Sequence, residues 1–349
     1  MTLLVSDEDD LLGPNLDYHL DRGVDLVIVT ANRAPDGILE TLRPYAERSV
    51  VRVIEEEAET YAQSEWVTRM ARLAATDHEA DWVINCDVDE FYWSEDGDLK
   101  EVLAAIPPEY GSLVMPVCHF VPRPDEHGFF ADRMTVRETA SFKPGLRTQF
   151  SKLAHRASPD VEVGPGNHDV TGTDLEPLPA WRPILGLHFP LRSYAQFERK
   201  VVRDGLAVAN NPDPTNSFWV CRDRYELYKA GGLPDDYAAR VLDDAQVDAG
   251  VREGRLAADD RLKRYFAVGT GRDAGPHSLD PERVEALGID LRRTLHEAEL
   301  HPLAVEVADL RRKLRRAEKR LAKSTERLER AKAKLGSRSR GPGEPRAGR

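Results

Sequence analysis

Four short apolar runs in the first 90 residues, separated by amphipathic stretches, constrain this chain more than any other feature. Leu3–Val5, Val24–Thr30, Val50–Ile54 and Trp82–Cys86 read as strands. Val24–Thr30 is apolar at nearly every position, as a strand buried on both faces must be. Between the runs, Asp9–Leu20 places Leu11, Leu12, Leu16 and Leu20 on a helical stripe. Ile38–Ala46 and the longer Ala58–Ala75, with Trp66, Met70 and Leu73, read as two more helices. Strand and helix alternating at this spacing predict an α/β fold on a doubly wound, mostly parallel sheet flanked by helices. Ligands of such sheets sit beyond the carboxyl ends of the strands. Two stretches fall there: the turn-rich loop Asn32–Gly37 and the acids that follow Cys86.

Those acids are the sharpest chemical signal. The stretch Asp81-Trp82-Val83-Ile84-Asn85-Cys86-Asp87-Val88-Asp89-Glu90-Phe91 runs from strand-like residues into three carboxylates within four positions. Like charges this close raise one another's pKa and repel. They persist when solvated, as in an ordinary acidic turn, or when a cation sits between them. A chain that turns after the strand lets Asp87 and Asp89 converge on one hard divalent ion. The apolar run before them and Phe91, Tyr92 and Trp93 after them favour a built site over a solvated turn.

Beyond the acids, Asp98–Ile106 reads as a helix ended by Pro107-Pro108, and Ser112–Val121 as a strand. Lys152–Arg156, Val161–Val163 and Pro183–Phe189 are further strand candidates, and Ser193–Val202 a helix. The loops between them, rich in Gly, Pro, His and aromatic residues, have the composition of a binding surface. Short helices are expected at Arg222–Lys229, Tyr237–Gly250 and Pro281–Leu287. Near the C-terminus, Val307, Leu314, Leu321, Leu328 and Leu335 recur every seven residues, the pattern of a coiled coil. The expected organisation is a catalytic domain over residues 1–210, a helical extension over 211–302, a basic coiled-coil-like helix over 303–335 and a disordered tail over 336–349.

Charge is divided along the chain. Residues 305–349 hold 16 Lys and Arg against 6 Asp and Glu, which leaves a net −22 on the preceding 304. An acidic body argues against nucleic acid as a partner. The basic tail suits either a homodimer paired along its heptads or peripheral contact with anionic lipid. Three cysteines without metal-site spacing fit a reducing compartment. With no leader-like segment and no long apolar run, the expectation is a cytoplasmic protein, peripheral at the inner face of a membrane if the tail binds lipid.

Three blocks together resemble the bacterial branch of the family 2-type glycosyltransferases of GT-A fold. They are Asn15–Leu20 with Gly23–Gly37, Asp81–Phe91, and Leu187–Lys200. The resemblance covers about residues 3 to 205. It implies a metal-dependent transfer of a sugar from a nucleotide-diphosphate donor to a hydroxyl on a glycan or lipid-linked acceptor, in cell-surface polysaccharide or glycoconjugate synthesis. It also implies that Asp87 and Asp89 hold Mn²⁺ or Mg²⁺, with His188 as a third ligand and His168 as its rival. Mg²⁺ and Mn²⁺ favour oxygen donors and commonly take one or two carboxylates plus substrate phosphates. Asn32, Asp36, Arg69 and Asp87 fall at nucleotide-facing positions, although Arg33 and Pro35 depart from the family's small residues. A general base is expected downstream, at Asp169 or Glu126.

Two other readings stand beside the enzyme. One is a catalytically degenerate GT-A-fold binding or scaffold protein serving the coiled coil, suggested by the altered Asn32–Pro35 loop. The other, a two-metal phosphotransferase or nuclease, is disfavoured by the acidic body and the lack of a Gly-x-x-x-x-Gly-Lys loop.

Overall fold

The computed structural model describes residues 1–58, 62–124, 127–139, 151–173, 175–209, 219–269, 278–298, 301–302, 310–311 and 313–314. The chain divides into two units, Met1–Leu291 and Arg292–Arg349. The first begins as the sequence predicts: β1 (Thr2–Val5), α1 (Leu12–Asp21), β2 (Val27–Asn32), α2 (Asp36–Glu47), β3 (Val51–Glu56), α3 (Gln63–Thr76) and β4 (Trp82–Asp87). There follow β5 (Glu90–Ser94), α4 (Leu99–Ala104), β6 (Tyr110–His119), α5 (Phe130–Arg133), β7 (Val136–Glu138) and β8 (Ser151–Arg156). Short strands β9 (Glu162–Val163), β10 (Val170–Thr171) and β11 (Glu176–Pro177) lead to β12 (Ile184–His188) and α6 (Tyr194–Ala209). The unit continues with α7 (Trp219–Lys229), α8 (Leu233–Ala238), α9 (Asp244–Arg252), β13 (Leu256–Ala258) and α10 (Arg261–Ala267). Residues 281–291 are helical as well.

The main sheet runs β3-β2-β1-β4-β8-β6-β12-β5, with β11 added beside β6. β3, β2, β1 and β4 pair in parallel. β8 then runs antiparallel to both of its neighbours, and β12 returns parallel to β6. The sheet is therefore mixed: the parallel expectation holds for its first four strands and breaks at β8 and at the edge strand β5. One consequence governs the site. The carboxyl ends of β4, β6 and β12 and the amino end of the reversed β8 all lie at the same edge.

Apolar burial on both faces explains why the strands are readable. Ile28 of β2 and Val83 of β4 pack with Val67, Met70 and Ala71 of α3. Each fully buried side chain of this kind stabilises by about 1.5–3 kcal/mol. Beneath the acids, Phe91 meets Tyr18, Phe130 and Phe189 at centroid distances of 5.4, 5.6 and 5.9 Å. The aromatics after the acids thus anchor β5, a strand that sequence reading left unassigned.

One further boundary differs from expectation. The predicted helix Tyr237–Gly250 is broken, because Asp243 caps a new helix: its carboxylate accepts from the Gln246 amide at 2.8 Å, and the Asp243 amide donates to Gln246 Oε1 at 2.9 Å. Within the first unit, β13 pairs with β7. In the second unit the described residues are helical and Leu310 and Leu314 are exposed. Most of the heptad stretch 303–335 and all of the tail 336–349 lie outside the described residues. No helix among the described residues is long and apolar enough to cross a membrane.

Candidate functional site

Asp87 ends β4, and Val88-Asp89 make the two-residue turn into β5. The turn is held from below. Asn15 on α1 donates to the Val88 and Glu90 carbonyls at 3.0 and 2.9 Å, and the Phe189 amide donates to the Asp89 carbonyl at 2.9 Å. With its backbone fixed, the turn presents Asp87, Asp89 and Glu90 to one crevice of about 370 Å³, which His119, Lys152, His188 and Lys200 also line.

Lysines neutralise much of this charge. Lys152, at the start of β8, places its buried ammonium 2.5 Å from Asp87 Oδ2 and 3.2 Å from Glu90 Oε1. Lys200 on α6 lies 3.3 Å from Asp89 Oδ2. Asp89 is almost fully buried; burial alone would raise its carboxyl, but Lys200, His188 and Arg192 outweigh it and hold it well below the usual carboxylate range. Glu90 is driven the other way, by burial and by the Asp87 charge, against the pull of Lys152. Its carboxylate also accepts from Tyr92 Oη at 2.8 Å.

The imidazoles follow from strand register. His188 on β12 sits opposite His119 on parallel β6 and opposite Glu90 on antiparallel β5, so the three form a row across the sheet. His188 Nε2 lies 3.4 Å from Asp89 Oδ1, and its Nδ1 shares a 2.8 Å hydrogen bond with His119 Nδ1. One nitrogen of that bond must be bare, so the two rings are not both doubly protonated. Burial and the neighbouring His188 push His119 down to about 4, which keeps it neutral at pH 7.

The turn Gly164–Asp169 closes one side. Gly166 and Asn167 both have positive φ, at 67° and 60°. A Cβ on Gly166 would meet the His168 ring at 2.7 Å, so glycine is required there. This backbone lets the Gly166 carbonyl accept from Lys152 at 2.7 Å while Asn167 Nδ2 donates to Asp87 Oδ1 at 3.2 Å. His168 lines the crevice and bonds the Ser151 carbonyl through Nδ1. Asp169 is exposed and outside the lining. Glu126 lies outside the described residues.

Of the residues assigned to the nucleotide, Asp87 lines the crevice, whereas Asn32, Asp36 and Arg69 do not. Asn32 donates to the Glu56 and Ala58 carbonyls at 3.2 and 3.1 Å, and Arg69 pairs with the Glu56 carboxylate at 3.1 Å. Asn32 and Arg69 therefore meet at Glu56, at the exit of β3, and neither lines the acid crevice. Asp36 is exposed at the start of α2.

The donor chemistry fits a divalent ion of one kind. Among the described residues no group of three or more His, Cys, Asp or Glu is arranged to hold a metal, so a closed all-protein cage is not the pattern. The oxygen donors that could face an ion are those of Asp87 and Asp89. Both Asp87 oxygens and Asp89 Oδ2 accept from an N–H group, and His188 Nε2 lies 3.4 Å from Asp89 Oδ1. Five carboxylates line the crevice (Glu8, Asp87, Asp89, Glu90 and Asp204) against the cations Lys152, Lys200 and Arg203, a formal −2 with every carboxylate ionised. That residue of charge suits one Mg²⁺ or Mn²⁺ completed by ligand phosphates.

Sequence reasoning missed Lys152, His119, Lys200 and Asn167. The available signal was positional: His119, like His188, closes an apolar run, and Asn167 stands in a Gly-Pro-Gly-Asn-His-Asp turn directly before His168. Lys152 gave no such signal.

No protein-family model matches this chain, and no curated protein matches it. Among solved structures it is similar to residues 1–349 of S. aureus TarS in complex with UDP, at 12% identity and a TM-score of 0.32, over 77% of this chain and 91% of that one. The longer S. aureus TarS structure gives 13% identity and 0.32, over 76% of this chain and 53% of the other. Mannose-1-phosphate geranyltransferase from Thermus thermophilus gives 13% and 0.23, over 75% of each. Likenesses this remote assign no activity.

Proposed function

We propose that this chain is a metal-dependent glycosyltransferase of GT-A-like fold that moves a sugar from a nucleotide-diphosphate donor to a hydroxyl acceptor. The observation that carries the reading is the convergence of Asp87 and Asp89, from one strand-end turn, on a crevice that also holds His188 and retains excess negative charge. Asp87 and Asp89 would hold Mn²⁺ or Mg²⁺, with His188 beside Asp89. The ion would supply Lewis-acid stabilisation of charge on the departing diphosphate.

In the transfer, the acceptor oxygen bonds to the anomeric carbon as the bond from that carbon to the diphosphate breaks. The bonding pair leaves with the nucleoside diphosphate, and the hydroxyl proton passes to a base. Asp169 stands outside the crevice, and we assign the base to Asp204, whose half-buried carboxylate lines it from α6. The ammoniums of Lys152 and Lys200 pair with the acids and hold them in place.

The test is a thermal-shift and titration series with UDP, GDP, dTDP and CDP, with and without Mn²⁺, followed by hydrolysis of the matching sugar nucleotides. Binding to the folded state raises the melting temperature by mass action. A metal-dependent shift by one nucleotide, lost in Asp89→Asn, supports the reading. Absence of any nucleoside-diphosphate binding, or binding indifferent to chelator, overturns it. Metal-dependent binding with no turnover of any sugar nucleotide would favour the scaffold reading.

A further inference from the structure

A second hollow, of about 760 Å³, adjoins the acid crevice: His119, Lys200 and Asp204 face both. The shared wall is α6. Phe197, Lys200, Val201 and Asp204 recur at intervals of three and four, which places them on one helix face. Phe120, Leu191, Phe197 and Leu242 give the hollow an apolar stretch, and its charged lining adds Glu138 and three arginines, Arg224, Arg240 and Arg255.

The arginines are not equivalent. Arg240 is forked onto Asp236 at 2.9 and 3.1 Å, and Arg255 pairs with Glu253 at 2.7 Å. Arg224, half-buried on α7, stacks its guanidinium 5.7 Å from the Phe197 ring centroid and has no carboxylate partner among the described residues. Burial and the nearby Arg240 push its pKa down, against the pull of Asp236 and Asp204. A half-buried guanidinium held against an aromatic face, with no hydrogen-bond partner among the described residues, can take an oxyanion in two parallel hydrogen bonds.

We propose that this second hollow is the acceptor subsite, and that it takes a hydroxylated acceptor bearing a phosphate or carboxylate group. The inference rests on the reading of the acid crevice as the donor site. The oxyanion pairs with Arg224, the carbon skeleton lies along Phe120, Phe197 and Leu242, and a hydroxyl reaches the shared wall where Asp204 stands.

Ligand-observed NMR titration of the full chain, saturated with Mg²⁺ and whichever of UDP, GDP, dTDP and CDP binds, tests this with three probes: glucose, glucose 6-phosphate and glucuronate. At least one oxyanion-bearing sugar should bind ten-fold or more tightly than glucose, and the better one identifies phosphate or carboxylate as the preferred group. Arg224→Gln should erase the difference, and Arg224→Lys should restore part of it. If both anionic sugars bind no better than glucose while a nucleoside diphosphate binds, the acceptor assignment is overturned alone. If no nucleoside diphosphate of the series binds, the donor reading falls. The wild-type comparison decides the matter even where Arg224→Gln does not fold.

Discussion

Lys152 and Asp87 lie on antiparallel neighbouring strands and meet Nζ to Oδ2 at 2.5 Å, because β8 begins at the edge where β4 ends. The same ammonium holds Glu90, so one side chain serves two acids from opposite ends of a two-residue turn.

Removing that ammonium should therefore be costly. Lys152→Met leaves Glu90 buried without its cation and Asp87 with only Asn167. Breaking a buried pair by deleting one partner typically costs about 3–5 kcal/mol. Urea unfolding at pH 7.5 measures it; a loss below about 1 kcal/mol would show that Lys152 is not a structural counter-charge.

Asp89→Asn keeps the shape of the turn and removes the charge that Lys200 and His188 face. We expect sugar-nucleotide turnover to fall by about 100-fold or more, the scale seen when one electrostatic contact at a reaction centre is deleted. Mn²⁺ dependence of nucleotide affinity should disappear with it. Wild-type turnover in this variant would remove Asp89 from the site.

Asn15→Leu tests how the turn is held. Its amide satisfies two buried carbonyls, Val88 and Glu90, and an unsatisfied buried acceptor costs about 1–3 kcal/mol. Stability should fall by that order, and nucleoside-diphosphate affinity should fall too, because the acids would no longer be fixed. Lost stability with unchanged affinity would separate Asn15 from the site.

Acid should destabilise the fold before ordinary carboxylates titrate. Burial depresses His19 to about 3 and His155 to about 4. His19 Nδ1 donates to the Asn15 carbonyl and its Nε2 accepts from the Tyr92 amide, so a second ring proton would confront an N–H. An unfolded histidine takes up its proton near pH 6.5, which the folded rings refuse. The unfolded state thus binds more protons, and stability falls as pH drops from 6.5. At pH 5 the loss is about 2 kcal/mol per ring. Urea midpoints at pH 7.5, 6 and 5 check this; a flat profile would show that the rings titrate normally.

Much of the frame was legible because central parallel strands must be apolar on both faces, and Val27–Ala31 is. The acid turn was legible for the complementary reason: charges crowded after such a run need a partner. Lys152 was not, because nothing local in Ser151-Lys152-Leu153 announces that its strand runs backwards. β5 hid behind a turn of only two residues. Asn32 and Arg69, read separately as nucleotide-facing, both bond Glu56. The break before α9 was written in the sequence as Asp243 and Gln246 at capping-box spacing.

The crevice gathers Glu8, Gln63, Asp87, Lys152, His188 and Lys200, residues scattered over nearly two hundred positions. During synthesis the acidic trio leaves the ribosome some sixty residues before Lys152 and more than a hundred before Lys200. Until then it repels itself. The acids and both of their counter-charges lie between Asp87 and Lys200, over a third of the first unit, so affinity for the crevice's ligand reports that distant stretches of that unit have come together.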